Sequence, residues 1–555
     1  MQQNTPISTP ATPKAKLNFS IYVLLALLGA LHSFSFALGF LPAWFLPFLQ
    51  ICLFSIFTIQ IYRAPSVKSA LLRSWVFAFS FLLTGIIWLQ NSMHVYGHMP
   101  VALAVLAVAL FAAALAIIPA LSTALFSFLQ QRQTRHLGWL QALLLSATWA
   151  SCWTLAEWVR GTLFTGFPWL NIAYAHLDGP FIGWAPLMGA YGLAWIAAFT
   201  SAAIATLVIY RDTLAPQASA GSFGLACLLA LLGLGLQYIS WSRPNGEPFI
   251  ARLVQGNISQ AEKFDPNAIH QGIQHYYQLA STPSKDQAST PSLIVLPETV
   301  IPLFQDSFDG IFWLEWVGLA KQFNAQVLLG IPLVQAKNDQ GRPETYTNSL
   351  IAIDPTTQAD SIIQADIPAY HKYHLVPFGE FIPPGFRWFV DMMQVPLGDF
   401  TRGDLPQSGF TLATQRIAPN ICFEDVFGEE IRQAVLPSPV STGANVLVNV
   451  SNLAWFSSSR ALYQHLQFSR LRAIETARPM LRATNTGITA AIDADGYVRA
   501  ALSPQQVGIL DVEVQGRSGL TPYVKWGNWP ALALIWLFLI VALLPQKAHQ
   551  QAKDE

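Results

Sequence analysis

Hydrophobic positions are spread very unevenly along these 555 residues. Between residues 17 and 241 apolar stretches follow one another with short polar breaks. Residues 243–525 read as mixed sequence, and 527–545 are apolar again. A helix needs about 20 mostly apolar residues to cross a bilayer core. The pattern therefore predicts eight spans, at 17–38, 41–62, 72–92, 100–129, 138–158, 184–210, 222–241 and 527–545. The fourth has room for a kink or a reentrant piece. Lys14 and Lys16 precede the first span, but its apolar run is too long for a signal peptide and reads as a retained helix. Segments 1–16 and 546–555 become tails, the former expected to be disordered from its Thr, Pro, Gln and Ala. Thr213–Gly221 reads as a flexible loop.

In 243–525 the period changes. Alternating or short apolar runs predict strands at Arg252–Ile258, Leu293–Leu296, Gln326–Leu333, Thr345–Ile353, Arg416–Cys422, Asn445–Val450, Gly487–Ile492 and Gly508–Val514. Helices are expected from Asp265-Pro266 to Ala280, and over Phe312–Phe323, Glu429–Val435 and Arg460–Thr476. Ser281–Ser292 reads as an exposed loop. Strands and helices in this order argue for an α/β layered domain, whose chemistry collects where strands end.

Composition sharpens the division. Hydrophobic residues make up 53% of the chain and charged residues 11%, where a soluble protein carries about 25% charged. The net charge is zero and no dense basic patch occurs, which argues against nucleic acid as a partner. Lys and Arg cluster before span one, in the loops after two, four and six, and after span eight; 39–40 and 93–99 carry none. The positive-inside rule puts those clusters in the cytoplasm and the 243–525 domain outside it.

Of the four cysteines, only Cys422 lies outside the apolar segments, so it has no disulfide partner in its own domain. A lone thiol there is a candidate nucleophile. Glu298 ends an apolar strand in Leu296-Pro297-Glu298, and Lys372 lies in a loop of aromatics and prolines. Glu, Lys and Cys supply a base for the thiol, a cation for an oxyanion and the attacking sulfur, which suits acyl transfer through a thioester. His371 and His374 flank the lysine, but with one thiol and no acidic partner at ligand spacing no metal is expected, and no cofactor.

These residues fall in blocks resembling the nitrilase superfamily: Leu296-Pro297-Glu298-Thr299, Tyr370-His371-Lys372 with Leu375 through Phe381, and Cys422-Phe423-Glu424. More closely, the chain resembles the bacterial apolipoprotein N-acyltransferase family. Val450-Ser451-Asn452 with Ala454-Trp455-Phe456, Gln464-His465, Arg478-Pro479, Arg482 through Ile488, and the membrane blocks Glu157–Gly161 and Phe164–Leu170 carry that likeness. It covers nearly the whole chain from residue 20. The resemblance implies a multi-span α-helical membrane domain plus an α/β extracytoplasmic domain built as a nitrilase-like αββα sandwich. It makes Glu298 the general base, Lys372 the oxyanion stabiliser and Cys422 the nucleophile, with Glu380, Phe423 and Glu424 in support.

The implied substrates are a membrane phospholipid as acyl donor and the N-terminal diacylglyceryl-cysteine of a lipoprotein as acceptor. The implied setting is a monomer in the inner membrane of a bacterium. Phe264 stands where many relatives carry Trp. With Phe381, Trp388, Trp455 and Trp169 it would line a lipid-facing portal, while Arg160 reads as a headgroup or a structural site. Leu453 replaces an Asp usual in the family and Ser457-Ser458-Ser459 a Gly-Asp-Ser-type turn, in a segment expected to form a mobile arm. Two rivals remain. A membrane-tethered amidase would need one span, not seven before its domain, and a transporter would carry more ionisable residues at mid-depth.

Overall fold

A computed structural model of the chain describes residues 19–37, 39–132, 139–210, 216–284, 290–337, 343–388 and 399–544. The predicted tails at 1–16 and 546–555 lie outside the described residues, as does 285–289 of the predicted Ser281–Ser292 loop. The first half is helical: α1 (Phe19–His32), α2 (Leu46–Tyr62), α3 (Val67–Ile86), α4 (Leu89–Asn91), α5 (Val101–Leu115), α6 (Ile117–Arg132), α7 (Trp139–Thr162), α8 (Ala185–Tyr210) and α9 (Pro216–Leu236). An apolar helix, Trp529–Leu543, follows the second half. Most of these helices are apolar on all sides, as expected for elements that face either each other or lipid. Leu27, Leu103, Leu110, Trp536 and Ile540 are exposed, while Phe54, Phe57, Phe77 and Trp149 fill the interior.

Among the described residues four helices are long and apolar enough to cross a membrane: Ala43–Tyr62, Val67–Ile86, Val101–Arg132 and Ile182–Tyr210. Phe19–Ser35, Gly221–Leu236 and Trp529–Leu543 are apolar but shorter, and α7, at 24 residues, carries Glu157 and Arg160. The fourth predicted span is interrupted at Ala116, between α5 and α6. Pro119 follows, and its missing N–H removes one helical hydrogen bond there. The expected loop at Thr213–Gly221 is helical from Pro216 onward.

Residues 243–525 form two six-stranded sheets packed face to face. The strands are β1 (Arg243–Pro244), β2 (Phe249–Gln255), β3 (Leu293–Val295), β4 (Gln326–Lys337), β5 (Pro343–Ile353), β6 (Ala369–His371), β7 (Phe410–Leu412), β8 (Gln415–Ile421), β9 (Val446–Ser451), β10 (Met480–Thr484), β11 (Ala490–Ile492), β12 (Val498–Ala501), β13 (Gly508–Val514) and β14 (Arg517–Ser518). One sheet runs β13-β2-β3-β4-β5-β6, the other β12-β11-β10-β9-β8-β7, and β1 pairs with β14. The β2–β3–β4 and β8–β9–β10 pairings are parallel.

The period-2 pattern explains the layers. Leu293 and Val295 face the space between the sheets while Ile294 faces an outer helix layer; Val446, Val448 and Val450 face inward while Leu447 faces out. Helices Ile269–Ala280 and Gly310–Phe323 cover the first sheet, Gly428–Val435 and Ala461–Thr476 the second. The helix expected from Asp265 begins at Ile269 instead. Asp265 closes a turn on Asn267 through its own side chain, a favourable alternative to the helical start. The strand expected at Gly487–Ile492 is confined to Ala490–Ile492, and Met480–Thr484 is a strand that the pattern did not reveal.

Helix Ala461–Thr476 joins the halves. Phe468, Leu471 and Ile474 enter the core of the membrane helices, Gln464 accepts from Trp169 Nε1 at 2.8 Å, and Gln467 donates to the Tyr174 carbonyl at 3.0 Å.

Candidate active site

Glu298 lies three residues past β3. Its turn passes so close to β4 that a Cβ on Gly330 would stand 2.4 Å from the Pro297 carbonyl oxygen and 2.8 Å from Glu298 Cα. Only glycine permits that approach. Asn348, on β5, donates to Glu298 Oε1 at 2.9 Å and to Glu380 Oε1 at 2.7 Å. Lys372 follows β6, and its amide donates to the Asn348 carbonyl at 2.8 Å. Its ammonium reaches Glu380 at 2.8 Å and Glu298 at 3.4 Å. Glu380 also accepts from the Val376 amide at 2.8 Å, within the tight turn that holds Phe378 to Phe381.

The second sheet brings the thiol. Cys422 directly follows β8 with φ of 55°, a left-handed conformation that strains a residue with a side chain and recurs at functional turns. It keeps partial exposure in a largely desolvated setting. Glu424 pins that strand end to the lysine loop: it accepts from the Ile421 amide at 2.6 Å, the Tyr373 amide at 2.6 Å, the His374 amide at 3.1 Å and Tyr370 Oη at 3.0 Å. Burial pushes its carboxyl up to about 7 against the pull of these donors. Past β9, the Asn452 amide donates to Glu298 Oε2 at 2.9 Å.

The electrostatics assign protonation states. Burial would raise the Glu298 carboxyl, but the Lys372 charge, the Asn348 hydrogen bond and the Lys263 charge outweigh it and hold it below the usual carboxylate range. Burial would lower the Lys372 ammonium, but Glu380 and Glu298 overcome it and raise it. Desolvation, then the Glu298 charge, push the Cys422 thiol well up, only partly offset by Lys372. The resting site therefore holds a neutral thiol, an ionised carboxylate and a protonated lysine. Proton transfer from sulfur to Glu298 is uphill at rest and becomes favourable only as sulfur bonds to an electrophile.

Glu298, Lys372, Glu380, Cys422 and Glu424 thus converge from both sheets. Phe423 packs on Phe427 at 5.2 Å and borders the membrane core. Phe264 and Phe381 are half-buried, and Trp388 is exposed. Trp169 is buried against Trp88 and Phe468. Arg160 is buried too, its guanidinium held by Glu157 and by the carbonyls of Phe167 and Trp169.

The segment expected to be a mobile arm is docked. Leu453 is fully buried, and the carbonyls of Ala454, Trp455 and Phe456 accept from Tyr96, Ser92 and Asn91. Sequence reasoning missed Asn348, Gly330 and Lys263, and the role of Asn452. Lys263, 5% exposed, donates to the Glu298 carbonyl at 2.9 Å. Among the described residues no group of His, Cys, Asp and Glu could hold a metal ion.

A family model described as the apolipoprotein N-acyltransferase N-terminal domain matches residues 28–203, and one described as carbon-nitrogen hydrolase matches 250–523. A protein named apolipoprotein N-acyltransferase from Bordetella bronchiseptica is 47% identical over 94% of this chain and 96% of its own. Those so named from Ralstonia nicotianae and Nitrosomonas europaea are 42% and 38% identical, over 96% and 91% of this chain and 95% and 94% of theirs.

Proposed function

Because the chain belongs to the apolipoprotein N-acyltransferase family and carries a nitrilase-type domain, we propose that Cys422 ferries an acyl group from a membrane phospholipid to a lipoprotein. The chain is a membrane acyltransferase acting in lipoprotein N-acylation; the donor, the acyl carrier and the order of steps are our reading. One observation carries it: a strained, partly exposed thiol beside an ionised carboxylate and a carboxylate-held ammonium.

In the first half-reaction the sulfur attacks an ester carbonyl of the phospholipid while its proton passes to Glu298. The C=O electrons move onto oxygen, where Lys372 meets the new charge. Collapse breaks the ester C–O bond, and the lysophospholipid alkoxide takes the proton from Glu298. In the second half-reaction the α-amino group of the acceptor's diacylglyceryl-cysteine attacks the thioester. Glu298 takes its proton, Lys372 again faces the oxyanion, and the departing thiolate recovers that proton. An amide forms and the thiol returns. Both substrates stay lipid-anchored, which avoids a cost of about 0.8 kcal/mol for each CH₂ drawn into water.

The distribution of Lys and Arg supports an inner-membrane protein with eight spans and its catalytic domain on the extracytoplasmic face. In this reading Phe264, Phe381, Trp388 and Trp455 would border the acyl chains. We propose that one chain suffices for the chemistry, since every group invoked comes from it.

The test is intact-mass measurement of the purified chain after incubation with phospholipid, then after chase with a diacylglyceryl-cysteine peptide. An acyl adduct should appear and then leave with the peptide, and Cys422→Ala should take none. An adduct of equal amount on Cys422→Ala would sink the proposal. Topology is checked separately: a cysteine placed at Ser284 should react with a membrane-impermeant reagent from outside the cell, and one at Lys553 should not.

A further inference from the structure

Lys263 plays no part in the base, cation and nucleophile described above, yet it is a second ammonium in the same pocket. It sits on the short helix Gln260–Phe264, whose start is fixed by a capping box between Ser259 and Glu262. The helix is tied to the site twice: Asn452 Nδ2 donates to Gln260 Oε1 at 2.8 Å, and Lys263 Nζ donates to the Glu298 carbonyl at 2.9 Å. Asn452 and Glu298 are themselves joined at 2.9 Å. A lysine 5% exposed with a neutral carbonyl as partner is costly to keep, so its charge needs compensation from the pocket.

That compensation is visible in the charge count. Glu298 and Glu380 are two buried carboxylates sharing Lys372; those three groups are net negative, and Lys263 offsets that charge. Proton transfer from Cys422 to Glu298 conserves charge, so the negative charge leaving Glu298 reappears on the oxyanion. With Lys263 the charges on Glu298, Glu380 and Lys372 stay balanced through that transfer.

We propose that Lys263 is a positioning residue for acyl transfer, fixing the Glu298 main chain and supplying the second positive charge that lets thiol and oxyanion ionise in that pocket. This rests on the roles proposed above for Cys422 and Glu298. The groups facing its ammonium are Glu298 on the β3 exit and Cys422 on the β8 exit; Glu262 and Asp265, on its own segment, are exposed. Burial pulls the ammonium down to about 8, against the attraction of those two groups. Lys372 is shifted the opposite way and keeps its proton. As pH rises through 8, the pocket loses the Lys263 charge first, and thioester formation should slow. The acceptor's α-amino group, titrating near 7.7–8.0 in solution, acts in the opposite sense and only in the second half-reaction.

The experiment is single-turnover acylation of the full-length chain in detergent with phospholipid, read by intact mass from pH 6 to 10. In the natural chain the rate should be level below pH 8 and fall above it. Lys263→Met should be slower by roughly tenfold or more below pH 8 and should lack the fall, because the charged tie to the Glu298 carbonyl and the second positive charge go together. Lys263→Arg, charged throughout, should keep a measurable rate with no fall up to pH 10. A Lys263→Met rate equal to the natural one, with the same fall near pH 8, overturns the proposal. If Lys263→Met loses its unfolding transition, the other two profiles decide: a natural rate flat to pH 10, or an unmoved fall in Lys263→Arg, overturns it as well. Failure of the underlying reading looks different, since the natural chain would then take no acyl group at all.

Discussion

Both halves of the molecule bury polar groups, but they use them differently. In the membrane half, Arg160 is consumed by Glu157 and two loop carbonyls, and His32, Gln50 and His176 form a chain at 3.3 and 3.0 Å that ties α1, α2 and the loop before α8. Each such cluster pins elements together and leaves no strained, exposed reactive atom among them. In the catalytic half, Asn348, Asn452, Glu380 and Glu424 hold Glu298 and Lys372 equally firmly, but Cys422 is left strained and partly exposed. The difference teaches that burial and pairing alone do not mark an active site. What marks it is a set of fixed charges around one strained, partly exposed thiol.

The largest effect on chemistry should come from Lys372→Ala, which takes the cation away from that thiol. One lost oxyanion contact costs about 10²–10³ in rate. Here the loss also sets Glu298 against Glu380, two buried carboxylates both bonded to Asn348, and the proton they would then share blocks the base. We expect single-turnover acylation to fall by more than about 10³ and thioester release to the acceptor peptide to fall with it. A variant that acylates at the natural rate would move the oxyanion role to backbone donors after Cys422.

Gly330→Ala comes next and tests position rather than charge. Its Cβ meets main-chain atoms on the Pro297–Thr299 turn at 2.4–2.8 Å, so the turn must shift and carry Glu298 with it. A displacement of about 1 Å costs roughly 10²-fold in rate. Acylation should drop by that order while Glu298, still anchored to Asn348, remains ionised. An unchanged rate would mean that the base tolerates more slack than the two-sheet arrangement implies.

These two positions also measure what was legible in the sequence. Cys422, Glu298 and Lys372 were readable because each stands out locally: a lone thiol, an acid at an apolar strand end, a lysine among aromatics. Gly330, Asn348 and Lys263 were not, and Asn452 only as part of a family-like block, since each acts through a contact to residues 31 to 154 positions away. Long apolar or alternating strands such as Gly508–Val514 were placed correctly. Met480–Thr484 was missed because Arg482 and Thr484 break the apolar run. They are buried all the same, Arg482 beside Asp425, Asn449 and His465. The membrane half was legible as apolar segments, with room for the break at Ala116, but helix lengths were not: Phe19–Ser35, Gly221–Leu236 and Trp529–Leu543 are shorter than a full span.

Glu380→Gln should have a smaller effect. The amide oxygen can still accept from Lys372 and Asn348, but its NH₂ faces the Val376 amide, another donor. Lys372 would keep one carboxylate, Glu298, and lean toward it. A loss of about tenfold in acylation is expected, in line with one weakened charged hydrogen bond of about 1.5 kcal/mol. A loss as deep as that of Lys372→Ala would mean that Glu380 itself exchanges a proton during turnover.

The smallest chemical effect should come from the membrane half, where the comparison makes its sharpest claim. Arg160→Met removes the guanidinium that holds Glu157 and the carbonyls of Phe167 and Trp169. Glu157 is then a buried carboxylate without a cation, and breaking such a pair costs about 3–5 kcal/mol. The loop that carries Trp169 also loses its clamp, and Trp169 is what meets Gln464 across the seam. We expect a clear fall in thermal midpoint in detergent, with the acylation rate per folded molecule unchanged. The double variant Glu157→Gln/Arg160→Met should recover part of the midpoint, because the orphaned charge is gone. If instead the rate falls with no change in midpoint, or depends on the phospholipid headgroup, Arg160 is a headgroup contact and the membrane half shares in substrate recognition.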